Sequence, residues 1–210
     1  MSTNVRFHFA ATVMASLILL SCASTQLSHT WRDASYTTGP LKKILVVAVR
    51  KDQLRRRTWE DGFAAALSWH GVDATPSYRL IAETLPDTGL IKTVAREGSF
   101  DGIMLVGRAS AKTTESVTAS SDITSADSPS QPWGGWYSEY YDREYYPGYP
   151  VINEIVKDEI KIWVTRGGGR MIWSGVGEVH ESGEDEDVSG EIIPLIVREL
   201  VKQGIIAAGS

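Results

Sequence analysis

"LKKILVVAVR", residues 41–50, is an unbroken run of largely β-branched apolar residues. It has the character of a strand buried on both faces. "TWEDGFAAALSWHG", residues 58–71, comes next and places Trp59, Phe63 and Leu67 at i, i+4 and i+8. Thr58 with Asp61 forms a capping box and Gly71 a stop, so the spacing predicts a helix of about three turns. "VDATPSYRL", residues 72–80, reads as a weaker strand, because Pro76 cannot donate to a ladder and belongs at an edge or a strand end. A short helix over 90–97, closed by Gly98, leads to a third strand that starts at Asp101 in "DGIMLVGRASAKTTESV". Strand, helix, strand, helix, strand makes a βαβ series with parallel pairing and right-handed crossovers.

Residues 118–150 interrupt the series with Ser, Thr, Asp, Pro and Gly, and then with "PWGGWYSEYYDREYYPGYP" at 132–150. Strand signals resume directly afterwards, so this is an insertion within one domain. In "VKDEIKIWVTR" Val156, Ile160, Ile162 and Val164 alternate with Lys157, Glu159 and Lys161, the pattern of a half-buried strand. "GGG" at 167–169 makes a turn, and "RMIWSGVGEV" returns as the hairpin partner. A last helix is predicted over about 189–204, with Pro194 near its first turn and an acidic run before its positive end. The expected fold is α/β: a mixed sheet in the order βαβαβ, insertion, ββα, in a single domain spanning 41–205.

The amino-terminal stretch concerns destination. "MSTNVRFHFAATVMASLILLSC" has Arg6, an apolar run from Phe9 to Leu20, then Ser21 and Cys22. That is the layout of a secretory signal peptide over residues 1–21. The run is about twelve residues, short of the roughly twenty that span a bilayer. Leu19-Leu20-Ser21-Cys22 resembles the bacterial lipobox, which implies that Cys22 carries the lipid of a membrane anchor. By the same resemblance Ala23, not being Asp, implies the outer membrane and a periplasm-facing domain; a host with one membrane would display the domain on its outer face. Residues 22–40 are then a tether with room for an edge strand. Cys22 is the only cysteine, so no internal disulfide or cysteine metal site is available.

Removing residues 1–21 leaves 189 of the 210 residues, with 20 Lys and Arg against 26 Asp and Glu, a formal charge of −6. That balance argues against nucleic acid or an anionic membrane surface as the main partner.

"KKILVVAV", "RRRTWEDGFAAALSWHGVDATPSY", "DGIMLVGR" and the hairpin "IWVTRGGGRMIWSG" together resemble a group of uncharacterised bacterial lipoproteins whose domain is similar to the TolB amino-terminal domain. Curli-secretion and peptidoglycan-synthase-activator lipoproteins carry the same domain type. The resemblance implies a non-enzymatic envelope domain that contacts other envelope proteins, with no cofactor, and it brings no catalytic residues with it.

His29, His70 and His180 are not spaced as a helical zinc pair. The nucleophile elbow, the phosphate loop and the dinucleotide glycine pattern are absent from the sequence. Asp185, Asp187 and Ser189 match the first positions of a calcium loop, but position twelve is Ile196 where a bidentate Glu is needed. A solvated acidic loop is the better reading. Arg55, Arg56 and Arg57, read as lying just before the helix, are candidates for gripping an anion or an acidic partner.

The aromatic insertion is the sharper candidate. Trp133, Trp136, Tyr137, Tyr140, Tyr141, Tyr145, Tyr146 and Tyr149 offer large contact area at little entropic cost, which suits protein, glycan or membrane-surface contact. Two alternatives stand beside it. The segment folds back as cover for an apolar sheet face, or it serves a carbohydrate-binding or sugar-processing protein together with Glu139, Asp142 and Glu144. Partner identity and oligomeric state are not readable from these residues.

Overall fold

The computed structural model describes residues 25–81, 87–109, 135–137, 141, 156–166, 169–179 and 188–209. Cys22, His180, Asp185 and Asp187 lie outside them, as do Trp133, Glu139, Tyr140, Asp142, Glu144, Tyr145, Tyr146 and Tyr149. The elements run β1 (Gln26–Arg32), β2 (Lys43–Ala48), α1 (Gln53–Ser68), β3 (Asp73–Pro76), a 3-10 turn (Ser77–Arg79), α2 (Thr88–Glu97), β4 (Gly102–Arg108), β5 (Val156–Val164), β6 (Met171–Val179) and α3 (Ser189–Lys202). They build one six-stranded mixed sheet in the order β1-β6-β5-β4-β2-β3, an α/β fold.

β2 pairs in parallel with β3 and β4, and the β4-β5-β6-β1 half is antiparallel. Every residue from Ile44 to Ala48 is fully buried, as a strand covered on both faces requires. On one face Ile44, Val46, Met104, Val106, Ile160 and Ile162 meet α1 and α3. On the other, Leu45, Val47, Ile103, Leu105 and Trp163 meet Ile91 and Ala95 of α2 and also Trp136 and Tyr137 of the insertion. Each fully buried large apolar side chain contributes about 1.5–3 kcal/mol, so the two layers together hold the sheet.

Four sequence expectations are corrected. α1 begins five residues before Thr58: Asp52 is the cap, its carboxylate accepting from the Arg55 amide at 2.8 Å, and Thr58 turns its hydroxyl to the Leu54 carbonyl at 3.0 Å. Arg55, Arg56 and Arg57 therefore lie inside the helix, not before it. Pro194 sits in the second turn of α3, within the helix. The domain starts upstream of residue 41: the edge strand for which the tether 22–40 had room is β1, which pairs antiparallel with β6 from Gln26↔Glu178 to Arg32↔Trp173. Finally, β5 is not half-solvated: Glu159 and Lys161 are at most 2% exposed under the helical turn at 135–137, and Asp158, on the opposite face, is buried against Arg50.

Other expectations agree with the structure. Gly71, at φ +74, turns the chain after α1, and β3 ends at Pro76 on the sheet edge. Gly98 closes α2, with the Phe100 amide donating to the Ala95 carbonyl at 3.0 Å and the Ser99 amide to Arg96 at 3.1 Å. This is a Schellman closure, in which the left-handed position usually falls to glycine. Here it falls to Ser99, at φ +53, and glycine stands one position earlier, where a Cβ would lie 2.3 Å from the Phe100 ring.

Candidate functional site

The strand register separates two ends of the sheet. One end carries Gln26, Arg108, Val156, Glu178 and the start of α3, and it is where the chain leaves β4 for the insertion and returns into β5. The opposite end carries the β5–β6 turn, residues Asp33–Lys42, the last turn of α1 and the α2–β4 connection.

At the insertion end, charge is paired inside the fold. Arg50 donates to Asp158 and to the Val49 carbonyl, and its guanidinium stands 5.1 Å from the Trp59 ring. Lys161 pairs with Glu159 at 2.7 Å, and its ammonium lies 3.0 Å from the Trp136 ring centroid. An opposite charge and an aromatic face together offset the cost of taking a lysine out of water. Lys157 pairs with Glu178 across the β5–β6 ladder.

Trp136 and Tyr137 are thus 2% and 4% exposed, and Tyr141 is partly buried against the same cluster, 6.5 Å from Tyr137. This corrects their assignment to a partner surface: Trp136 and Tyr137 cover the sheet. An indole buried to this extent, with an ammonium on one face, presents no open face to a sugar ring.

Arg56 is corrected too. It is fully buried and ion-paired with Glu60, whose carboxylate also accepts from the Ala48 amide at 3.0 Å, the Ser77 hydroxyl at 2.8 Å and the Tyr78 amide at 2.8 Å. One carboxylate therefore locks α1 to β2 and to the turn after β3. Arg57 lies 5.2 Å from the Tyr78 ring, Arg55 is partly buried, and no shared anion grip forms from the triplet. Ser189 is buried at the start of α3. His70 accepts from the Gly209 amide at 3.0 Å, and His29 lies in β1. Among the described residues no three His, Cys, Asp or Glu side chains are placed to hold a metal ion, and no helix is long and apolar enough to cross a membrane.

The opposite end has a different character. Trp69 is 85% exposed there, in the turn that follows α1. The sequence signal for it is slight: it falls two residues beyond Leu67, about 200° around a helix from the apolar stripe. Two clefts of about 480 and 550 Å³ open at the same end, one beside α2 and one beside the loop before β2. In the second, burial and the Asp101 carboxylate raise the Tyr36 phenol above its ordinary value, and its hydroxyl donates to the Gly39 carbonyl at 2.8 Å.

No protein-family model matches this chain, and no curated protein matches it. Among solved structures it is similar to a dodecamer of a PelC variant from Paraburkholderia phytofirmans. That alignment has a TM-score of 0.43 and 11% identity, covering 89% of this chain and 99% of that one. A second crystal form of the PelC dodecamer from the same organism gives a TM-score of 0.42 at 11% identity, over 88% and 99%.

Proposed function

We propose that this protein is an outer-membrane lipoprotein, anchored through Cys22 and facing the periplasm, whose α/β domain acts without catalysis as an interaction or assembly factor for other envelope proteins. The apolar run ending in Leu19-Leu20-Ser21-Cys22 supports the anchor. The resemblance to lipoproteins with a TolB-like domain supports the role.

The fold gives the reading a direction. Gln26 opens β1 four residues after Cys22, and at no more than about 3.6 Å per residue an anchored Cys22 holds that end of the sheet within about 14 Å of the bilayer. The opposite end then looks into the periplasm. The observation that carries the proposal is Trp69, a large aromatic 85% exposed at that outward end, the kind of side chain that anchors protein interfaces. Trp133, Tyr140, Tyr145, Tyr146 and Tyr149 remain sequence candidates for a second contact nearer the membrane.

The test is a photo-crosslinking amino acid introduced at position 69 in living cells. A discrete adduct with another envelope protein is expected. Adducts with lipid alone, or none under conditions where the same probe in β1 reacts, would overturn the proposal.

A further inference from the structure

The two clefts share a wall. The first has an apolar floor of Ala95, Phe100, Ile103 and Val164 under a rim of Lys92, Arg96 and Arg166. The second lies on the other side of Val164 and Arg166, which line both. Thr165 fixes the wall between them by donating its hydroxyl to the Phe100 carbonyl. We infer that this double cleft docks an acidic segment of another polypeptide, with a carboxylate on Arg166 and a neighbouring aliphatic side chain on the apolar floor.

Charge carries the argument. Several cations of this acidic chain are matched: Arg50 with Asp158, Arg56 with Glu60, Arg79 with Asp61 and, at the rim of the second cleft, Arg170 with Asp33. Among the described residues, Arg96 and Arg166 have no carboxylate partner, and the first cleft has no acidic residue in its lining. Asp101, which lines the second cleft, accepts from the Lys42 and Lys43 amides at 3.1 and 3.0 Å through one oxygen. A guanidinium beside an apolar pocket matches a carboxylate beside an aliphatic group.

The shape narrows the class further. Phe100 is only 4% exposed, so it supplies a floor and not a stacking face, which favours an aliphatic side chain over a sugar. Ser99 lines the same cleft in the left-handed conformation, where its hydroxyl adds a polar group that glycine would not. A second copy of this chain is disfavoured, since its acidic stretch at 178–191 starts at the end that an anchored Cys22 holds at the membrane. Only that last step rests on the proposed anchor.

The experiment uses the purified full chain in detergent and fluorescence anisotropy with three labelled peptides: alternating Glu and Leu, its twin with Gln for Glu, and polyglutamate of equal charge. Saturable binding of the Glu-Leu peptide alone is expected, weakened about tenfold or more by Arg166→Ala and by Arg166→Gln. Arg79→Ala, an exposed cation at the insertion end, leaves it unchanged. No binding, equal binding of polyglutamate, or binding indifferent to Arg166→Ala and Arg96→Ala overturns the inference. Self-association that Arg166→Ala abolishes would replace the acidic partner with a second copy. Binding that persists when Cys22 proves unacylated would sink the anchor and leave the cleft standing.

Discussion

Glu60 and Arg56 show how far one residue pair reaches. The pair is wholly enclosed, and the carboxylate serves the guanidinium, two amides and a hydroxyl drawn from three elements. Glu60→Ala strands a buried cation, so a loss of about 3–5 kcal/mol is expected in denaturant unfolding. A loss under about 1 kcal/mol would mean that Arg56 finds other partners. Ser99 gives the opposite sign. Its φ of +53 costs an L-residue roughly 1 kcal/mol that glycine does not incur, so Ser99→Gly is expected to stabilise by about 1 kcal/mol while Gly98→Ala destabilises. Neither position was legible in the sequence: "RRRTWED" resembles a solvated basic run, and only the fold shows that the middle arginine points inward.

Two carboxylates set a pH dependence at this scale. Asp33 is pushed up by burial, but bonds from the Ser35 hydroxyl and amide and the nearby Arg170 and Arg32 outweigh this and lower it. The Gln203 amide bond lowers Glu199 against burial, helped by Lys202 and Arg198. The unfolded chain therefore takes up protons before the folded one as the pH falls. Their stabilisation is complete above the ordinary carboxylate range and is lost as the pH drops through and below it. Unfolding midpoints measured between about pH 6 and pH 3 should fall less steeply in Asp33→Asn with Glu199→Gln than in the parent. An unchanged slope would rule these two groups out.

Elements with strong periodicity were readable, and those whose environment comes from distant residues were not. The run 41–50 announced the central strand, and Trp59, Phe63 and Leu67 announced α1, because each pattern reflects burial of its own residues. β5 misled: Lys157, Glu159 and Lys161 alternate as a solvated face does, yet the turn at 135–137 arrives from the insertion and encloses two of them. Its aromatics left contact and cover both open, because no periodicity marks a helical turn that packs on a neighbouring sheet face. Trp136→Ala is expected to cost about 3–5 kcal/mol and expose the Lys161 pair. Trp69→Ala is expected to shift stability by no more than about 0.5 kcal/mol and to remove the position-69 contact. If the two variants behaved alike in unfolding, cover and contact would not be divided between the two tryptophans.

For the whole molecule, polarity is the organising feature. The end that receives β1 and the insertion has its charges paired internally, and the far end presents Trp69, Arg96 and Arg166 outward. The sequence allowed the fold class to be read. It did not allow the far end to be seen, because the loop before β2, the α2–β4 connection and the β5–β6 turn converge there only through sheet pairing. The proposed function depends on which end faces the membrane, and that depends on Cys22. The most direct measurement is mass spectrometry of the amino-terminal peptide of the protein recovered from its native membrane. A chain beginning at Cys22 and carrying acyl groups is predicted; a chain that retains residues 1–21, or whose Cys22 is a free thiol, contradicts the account.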